Sequence, residues 1–459
     1  MPTQYIIESK LSYANSYCWS WRSGHPPSYR LSGEEQQSTT LIDSDKELLR
    51  RVQRKFDAYT IVGDPTKLED LQLTEVHDCD LFVSVMPGEA ENLLACMLAA
   101  QLGAKRTIAR INNHRYLADH YRRFFGSLGV DQLIYPEELA AEEIANSFKH
   151  PWARVYVELL NGAFVLVGVK VRQGSILVGR PLSWTKELGD KAFHVVSIKR
   201  GEETLIPDGQ TIIEHGDVVF FTCLNKDIDL VRQYCDKNLR PVKRVVILGG
   251  SLIALRTVSK APSNIDFHLI ERDLERIKEI EDEIPSNVKL YDGDGRDLNL
   301  ISEIGLDEES IFVALTENSE TNILACLAAK RFQVAKTIAK EENIDYIPLA
   351  EKLDIGTIIN KKVIAAGNIF HALLGSDTKT VKSLTIAHTD VAELQAKSGS
   401  TITECPVKEL DIPQGITLGG LVRNGVPMLI DGNMEIQPYD SVVVFCTNTS
   451  MERLAKLFD

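Results

Sequence analysis

The sequence predicts an α/β chain of two doubly wound, parallel-sheet domains, each followed by a small β-rich α+β domain. Three observations carry the prediction: the chain repeats itself, its longer repeat alternates apolar strands with helices, and its shorter repeat holds strands joined by Gly/Asp turns with little helix. The repeat comes first, because it sets how many cores the chain must build. "IVGDPTKLEDL" at 61–71 answers "LYDGDGRDLNL" at 290–300, and "LFVSVMPGEAENLLACMLAA" at 81–100 answers "IFVALTENSETNILACLAAK" at 311–330. Asp64 and Asp294, Asn92 and Asn322, Cys96 and Cys326, and Arg110 and Lys340 all share an offset of 230 residues. A second pairing, 206–222 with 429–447, completes the order A-B-A-B.

Unit A is clearest in its second copy. "RVVIL" reads as a buried strand, a Gly-Gly turn leads into the helix "SLIALRTVSK", and "IDFHLI", "VKLY", "SIFVAL", "KTIAK" and "GTIIN" are further strands separated by amphipathic helices. Continuous Val/Ile strands alternating with helices of about ten residues mean a parallel sheet covered on both faces, a Rossmann-like domain. Unit B, with "AFVLVGVKV", "HVVSIKR" and "DVVFFTC", reads as short strands in a domain of roughly 70 to 80 residues. "PEELAAEEIANSFKHP" and "NKKVIAAGNIFHALLGSD" read as helices leaving A for B. The expected boundaries are an aberrant segment at 1–30, first A and B units at 31–150 and 151–237, and second A and B units at 242–375 and 376–459.

The net charge of −14 argues against a nucleic-acid surface, which needs a basic footprint. No apolar run of about 18 residues suggests a membrane span, and eight scattered cysteines without a CxxC fit buried thiols in a reduced, cytoplasmic protein. "HDCD" at 77–80 and "HRYLADH" at 114–120 lack the partner cluster of a metal site. No nucleophile, general acid or general base stands out, so no catalytic residue is expected.

A dinucleotide fingerprint needs a Gly for the tight turn, a second for close backbone approach to the pyrophosphate, a third small residue for helix packing, and an acid about 20 residues on for the ribose. In copy two Gly249, Ser251 and Ala254 fill those places and Glu271 ends the second strand; Asp43 is its copy-one counterpart. Ser251 would crowd a pyrophosphate, although the helix-start amides stay open to an anion. Asp64 and Asp294 follow the third strand, as ligand contacts or as caps of the next helix. Arg110 ends the fifth strand, where a cation can meet a phosphate or a base, or pair on the surface.

"VVILGG", "LIERD", "GDGRD", "ALTENSETNILACLAAK" and "TIAK", followed by an "IAAG" helix and a small β domain, resemble the RCK/KTN unit. Two such units in tandem, over about residues 31 to 459, resemble the TrkA family, peripheral NAD-binding regulatory subunits of bacterial Trk potassium uptake systems. The resemblance implies A units (RCK-N) that bind NAD(H), or ATP and ADP, and B units (RCK-C) that add a second lobe. It also implies homo-oligomers on the cytoplasmic face of the membrane, docked to a TrkH-type potassium-translocating subunit that they gate. The ligand positions it implies are Gly249, Gly250, Ser251, Leu252 and Ile253, the acids Asp43 and Glu271, Met86 with Pro87, Thr316 with Glu317, and Arg110. The competing class is an NAD-dependent oxidoreductase with the B units as substrate lobes.

"SYCWSWRSGHPPSYRLSG" at 16–33 fits none of this. The 230-residue offset puts Gly249, Ser251 and Ala254 on Trp19, Trp21 and Gly24, and a tryptophan cannot take the tight turn. Tryptophan has one codon, TGG, so reading one base later turns both tryptophans into glycines at G-x-G spacing. With permitted codons, 13–29 then encode "MQIVIAGAGEVGTHLA", a strand, an intact Gly-rich turn and a helix start. The expectation is that residues 1 to about 30 come from a shifted reading frame and that the first nucleotide site is lost.

Overall fold

A computed structural model describes residues 18–22, 38–55, 58–188, 193–201, 203–237, 241–373, 378–384, 389–413, 415–447 and 457–458. The chain divides into two compact units, 1–138 with 362–373, and 139–361 with 374–459.

The first unit carries a six-stranded sheet in the order β3-β2-β1-β4-β5-β6, from β1 (Cys18–Arg22), β2 (Ser38–Asp43), β3 (Tyr59–Val62), β4 (Leu81–Ser84), β5 (Thr107–Arg110) and β6 (Gln132–Ile134). Its core joins Ile42, Phe82 and Ala109 to Ala95, Cys96 and Ala99 of the helix Glu89–Gln101, whose small side chains let the helix lie close on the sheet.

The second unit begins with a five-stranded antiparallel sheet, order β10-β9-β11-β8-β7: β7 (Val155–Leu159), β8 (Phe164–Lys170), β9 (Phe193–Arg200), β10 (Glu203–Leu205) and β11 (Val218–Leu224). A second Rossmann-like sheet follows, order β14-β13-β12-β15-β16-β17: β12 (Arg244–Leu248), β13 (Asp266–Glu271), β14 (Val288–Asp292), β15 (Ser310–Ala314), β16 (Lys336–Lys340) and β17 (Thr357–Ile359). All its pairs are parallel. Another antiparallel sheet, order β18-β19-β22-β20-β21, ends the chain: β18 (Thr378–Leu384), β19 (Thr389–Gln395), β20 (Ile416–Arg423), β21 (Val426–Leu429) and β22 (Ser441–Thr447).

Three features depart from the sequence reading. First, "CWSWR", read as having no strand period, forms β1 in the central slot that β12 fills in the second copy. It runs antiparallel to both neighbours, pairing Cys18 with Ile42 and Ser84 and Trp21 with Thr39 and Leu81. Second, the connecting helices are exchanged. Residues 362–373, after the second sheet, belong to the first unit, where Asn368 accepts from Gln132 Nε2 at 3.2 Å; residues 139–147, after the first sheet, belong to the second unit, where Glu142 meets Lys260 at 2.8 Å. Third, the small domains share one core: Phe164, Leu166 and Phe220 of the first pack with Val391, Val443 and Phe445 of the second. A Cβ added at Gly420 would lie 2.5 Å from the Phe164 ring, so the two sheets meet where this residue has no side chain. Among the described residues no helix is long and apolar enough to cross a membrane.

Candidate functional site

In a parallel sheet every strand ends at the same edge, and the crevice for a ligand opens where the strand order reverses, here between β12 and β15. β12 hands the chain to Gly249, whose φ of +98° lies in the left-handed region. A Cβ there would sit 3.0 Å from the Thr316 backbone nitrogen, so glycine serves both the turn and the close approach to the chain leaving β15. The Gly249 N–H donates to Ile270 O at 2.8 Å, tying the turn to β13. Ser251 is the N-cap of the helix Leu252–Lys260, its hydroxyl accepting from the Ala254 N–H at 3.4 Å. Leu252 is exposed, whereas Ile253 is buried and can offer a ligand only its backbone.

Glu271 ends β13 and is stitched to this turn. Its Oε2 accepts the Gly250 N–H at 2.7 Å, and Oε1 accepts the Arg272 and Asp273 N–H groups at 2.8 and 3.0 Å. Three of about four lone-pair positions are used, so acceptor capacity for a hydroxyl remains. Arg276 closes the stitch from the next helix, Nε donating to Gly250 O at 2.8 Å. This cation beside the turn was missed in the sequence; "LERIKEI" reads only as a charged helix face.

A buried amide fixes the far side of the crevice. Asn322 Oδ1 accepts from Thr316 N at 3.0 Å and Thr316 Oγ1 at 2.7 Å, while Nδ2 donates to Thr316 O at 3.0 Å and Lys340 O at 2.9 Å. Asn92 repeats the device, accepting from Ser84 Oγ and Met86 N at 2.8 and 2.7 Å and donating to Met86 O and Arg110 O at 2.8 and 3.0 Å. Each amide holds the ends of the fourth and fifth strands in register at the ligand edge. The repeat had matched Asn92 with Asn322, a polar pair inside an otherwise apolar helix face, and that was the available signal.

The other predicted residues sort as follows. Asp294 neither caps the next helix, which Asp297 caps, nor stands free. It accepts the Arg296 N–H at 2.9 Å and pairs with that guanidinium at 2.6 Å, which holds its carboxyl down at about 2. Asp64 likewise closes its own turn, accepting from Thr66 N and Oγ1 at 3.0 and 2.7 Å, and the short helix Leu68–Gln72 lacks a side-chain cap. Pro87 and Glu317 are exposed, and Met86 and Thr316 half-buried. Among the described residues Arg110 Nε is buried without a hydrogen-bond partner, whereas Lys340 pairs with Glu342 at 3.2 Å.

Among the described residues copy one lacks the stitch. Asp43, at the end of β2, accepts the Asp45 N–H on Oδ1 at 2.6 Å, but its Oδ2 is buried and unpartnered, and burial pushes the carboxyl up. Glu271 gives one oxygen to the Gly turn; Asp43 meets no such turn among the described residues. The antiparallel β1 explains this. Its N-terminal end lies beside the ligand edge, its C-terminal end at the opposite edge, and Trp19 and Trp21 fall inside the strand at Leu41 and Thr39.

Known proteins reproduce this division. The TrkA-N domain model matches residues 28–136 and 245–361, and the TrkA-C domain model matches 166–236 and 391–459. In copy two the match starts within β12, whose offset counterpart is residue 15; in copy one it starts at 28, beyond the tryptophans. The Trk system potassium uptake protein TrkA of Haemophilus influenzae is 28% identical over 92% of this chain and 94% of its own length. The protein of the same name from Vibrio alginolyticus is 29% identical over 90% and 92%. Among solved structures, the GsuK RCK domain is similar with a TM-score of 0.54 at 11% identity, over 91% of this chain and 89% of that one. The GsuK channel bound to NAD is similar with a TM-score of 0.54 at 11% identity, over 91% of this chain and 74% of that one.

Proposed function

The chain belongs to the TrkA family, built from alternating TrkA-N and TrkA-C domains, and from that membership we propose that this regulatory subunit of potassium uptake is a nucleotide-responsive gate with one working nucleotide site per chain. The ligand is NAD(H), with ATP or ADP as alternatives, held in the second copy. The observation that supports this most is the stitch between the Gly turn and Glu271 at the reversal of strand order. Backbone amides from Ser251 to Ile253 face an anion at a helix start, while the Gly250 N–H is held by Glu271, which offers its spare lone pair to ribose hydroxyls. Ser251 fits less well than glycine, because its hydroxyl occupies the Ala254 N–H that a phosphate would use.

A nucleotide wedged between the β12 turn and the β15 loop favours one setting of that crevice over another. If one setting suits the open pore better, a coupling of about 1–3 kcal/mol gives a roughly 5- to 150-fold response. The pore is a separate potassium-translocating membrane subunit of the TrkH type, on whose cytoplasmic face copies of this chain assemble. Potassium flux into vesicles holding that subunit and this chain is expected to change with NADH or ATP and to lose the change in Glu271→Ala. Flux indifferent to both contradicts the reading. The chain is not an enzyme on this account, so NADH absorbance stays constant with a panel of carbonyl substrates.

The loss of the first site is proposed to be genetic: residues 1 to about 30 are a shifted reading of a segment that one base later spells a strand and an intact Gly-rich turn. Support comes from the two tryptophans at the glycine positions, the reversed β1, the orphaned Asp43 oxygen and the late start of the family match. Codons for 13–29 that do not spell that segment one base on would falsify it.

A further inference from the structure

Where the first small domain meets the second Rossmann-like domain, both within the second unit, one carboxylate, Asp354, faces four cations. Asp354 follows the helix Ile347–Lys352 with φ of +55°. Its Oδ1 accepts Lys170 Nζ at 2.8 Å and Arg154 Nη2, while Lys330 and Arg172 approach Oδ2 at 3.5 and 3.7 Å. Two more cations stand behind these. Lys336 is buried and donates to Ala153 O at 2.8 Å, and Lys237 is half-buried. Three further carboxylates offset part of this charge: Glu351 pairs with Lys199 at 2.6 Å, Asp236 acts on Lys237 and Glu143 acts on Lys336, so six cations face four carboxylates, one of them already paired with Lys199.

The excess registers on the cations themselves. Burial, then the charges of Arg172 and Arg154, hold the Lys237 ammonium below the ordinary lysine range. Burial together with Arg154 brings Lys336 down to about 7. Burial lowers Lys330 as well, with Arg154 and Arg172 adding to it against the opposing pull of Asp354. In a chain of net charge −14 this is a local reversal of sign, and a solvent anion entering it is attracted by several cations at once.

We propose that this cluster of cations binds a small phosphate-bearing anion at a site separate from the nucleotide edge. The Arg172 side chain is 66% exposed and at 3.7 Å is too far from Asp354 for a hydrogen bond, so its planar fork is available to a ligand. Lys170 and Lys330 share Asp354 with it, and Lys237 is near enough to feel its charge. The phosphate joins Arg154, Lys170 and Arg172 of the small domain to Lys330 of the Rossmann-like domain, clamping one on the other. Lys330 is also the C-cap of the helix Ser319–Ala329, which begins just past Thr316 and is anchored there through Asn322. One helix therefore runs from the nucleotide edge to the cation cluster.

The test is thermal unfolding of the full chain titrated with pyrophosphate, against chloride at equal ionic strength. A saturable rise in melting temperature is expected, with apparent affinity reduced about tenfold or more in Arg172→Ala and in Lys237→Ala, as loss of a charged hydrogen bond or cation implies. Glu271→Ala should leave that response in place while losing nucleotide binding, which separates failure of this site from failure of the nucleotide site. No saturable rise over chloride, or a rise that persists unchanged in both cation variants, overturns the proposal.

Discussion

Asn322 makes four hydrogen bonds from a buried amide, and losing them strands the Thr316 and Lys340 backbone groups that it joins. Asn322→Leu is expected to destabilise the second unit by on the order of 3 kcal/mol, read as a fall in its melting temperature, because each stranded buried group costs about 1–3 kcal/mol. A loss confined to nucleotide affinity would contradict this positioning role. Glu271→Ala should weaken NADH or ADP binding by about 10- to 100-fold in a calorimetric titration, the value of charge-assisted bonds to ribose. Lys336 gives a pH signature. With its folded value near 7 and the unfolded value at 10.5, the unfolded chain binds the extra proton between those limits, so stability rises with pH across that window. Lys336→Met should therefore raise the melting temperature most near pH 6, with the gain fading toward pH 10; a pH-independent difference would contradict the assignment. The acids and glycines of the site were legible because the fingerprint fixes residue type at fixed spacing. Arg276 and the amide locks were not, because their roles depend on a loop one strand away, which spacing along the chain does not report.

At the scale of elements, the strands and helices of the second Rossmann-like sheet follow the periodicity of the sequence closely, since buried parallel strands are continuous apolar runs between amphipathic helices. The first sheet departs from that pattern at one element. "CWSWR" still fills the central slot, as a strand must to satisfy the backbone groups of β2 and β4, but with reversed polarity. Strand polarity is not written in side-chain alternation, so the sequence could flag the missing turn but not the reversal. The intact turn is sensitive for the opposite reason. Gly249→Ala places a Cβ at a φ of +98° and 3.0 Å from Thr316 N, so a loss of about 1–3 kcal/mol and a sharp fall in nucleotide affinity are expected. Normal affinity in that variant would show that the turn is not the ligand's seat.

At the scale of the whole molecule, A-B-A-B is a statement about sequence, and the fold mixes the copies. Each compact unit takes in residues of the connecting helix that follows the other copy's sheet, and the small domains close a common core. Neither was legible, because a helix with one apolar face does not say which sheet it covers, and an alternating strand does not say whether its outer face meets water or a homologous sheet. The central claim is that this chain has one working nucleotide site, in its second copy. Calorimetric titration of the full chain with NADH, or with ADP if NADH does not bind, measures it directly. The account predicts one nucleotide per chain, abolished by Gly249→Ala with Glu271→Ala; two per chain, or one that survives those substitutions, would contradict it.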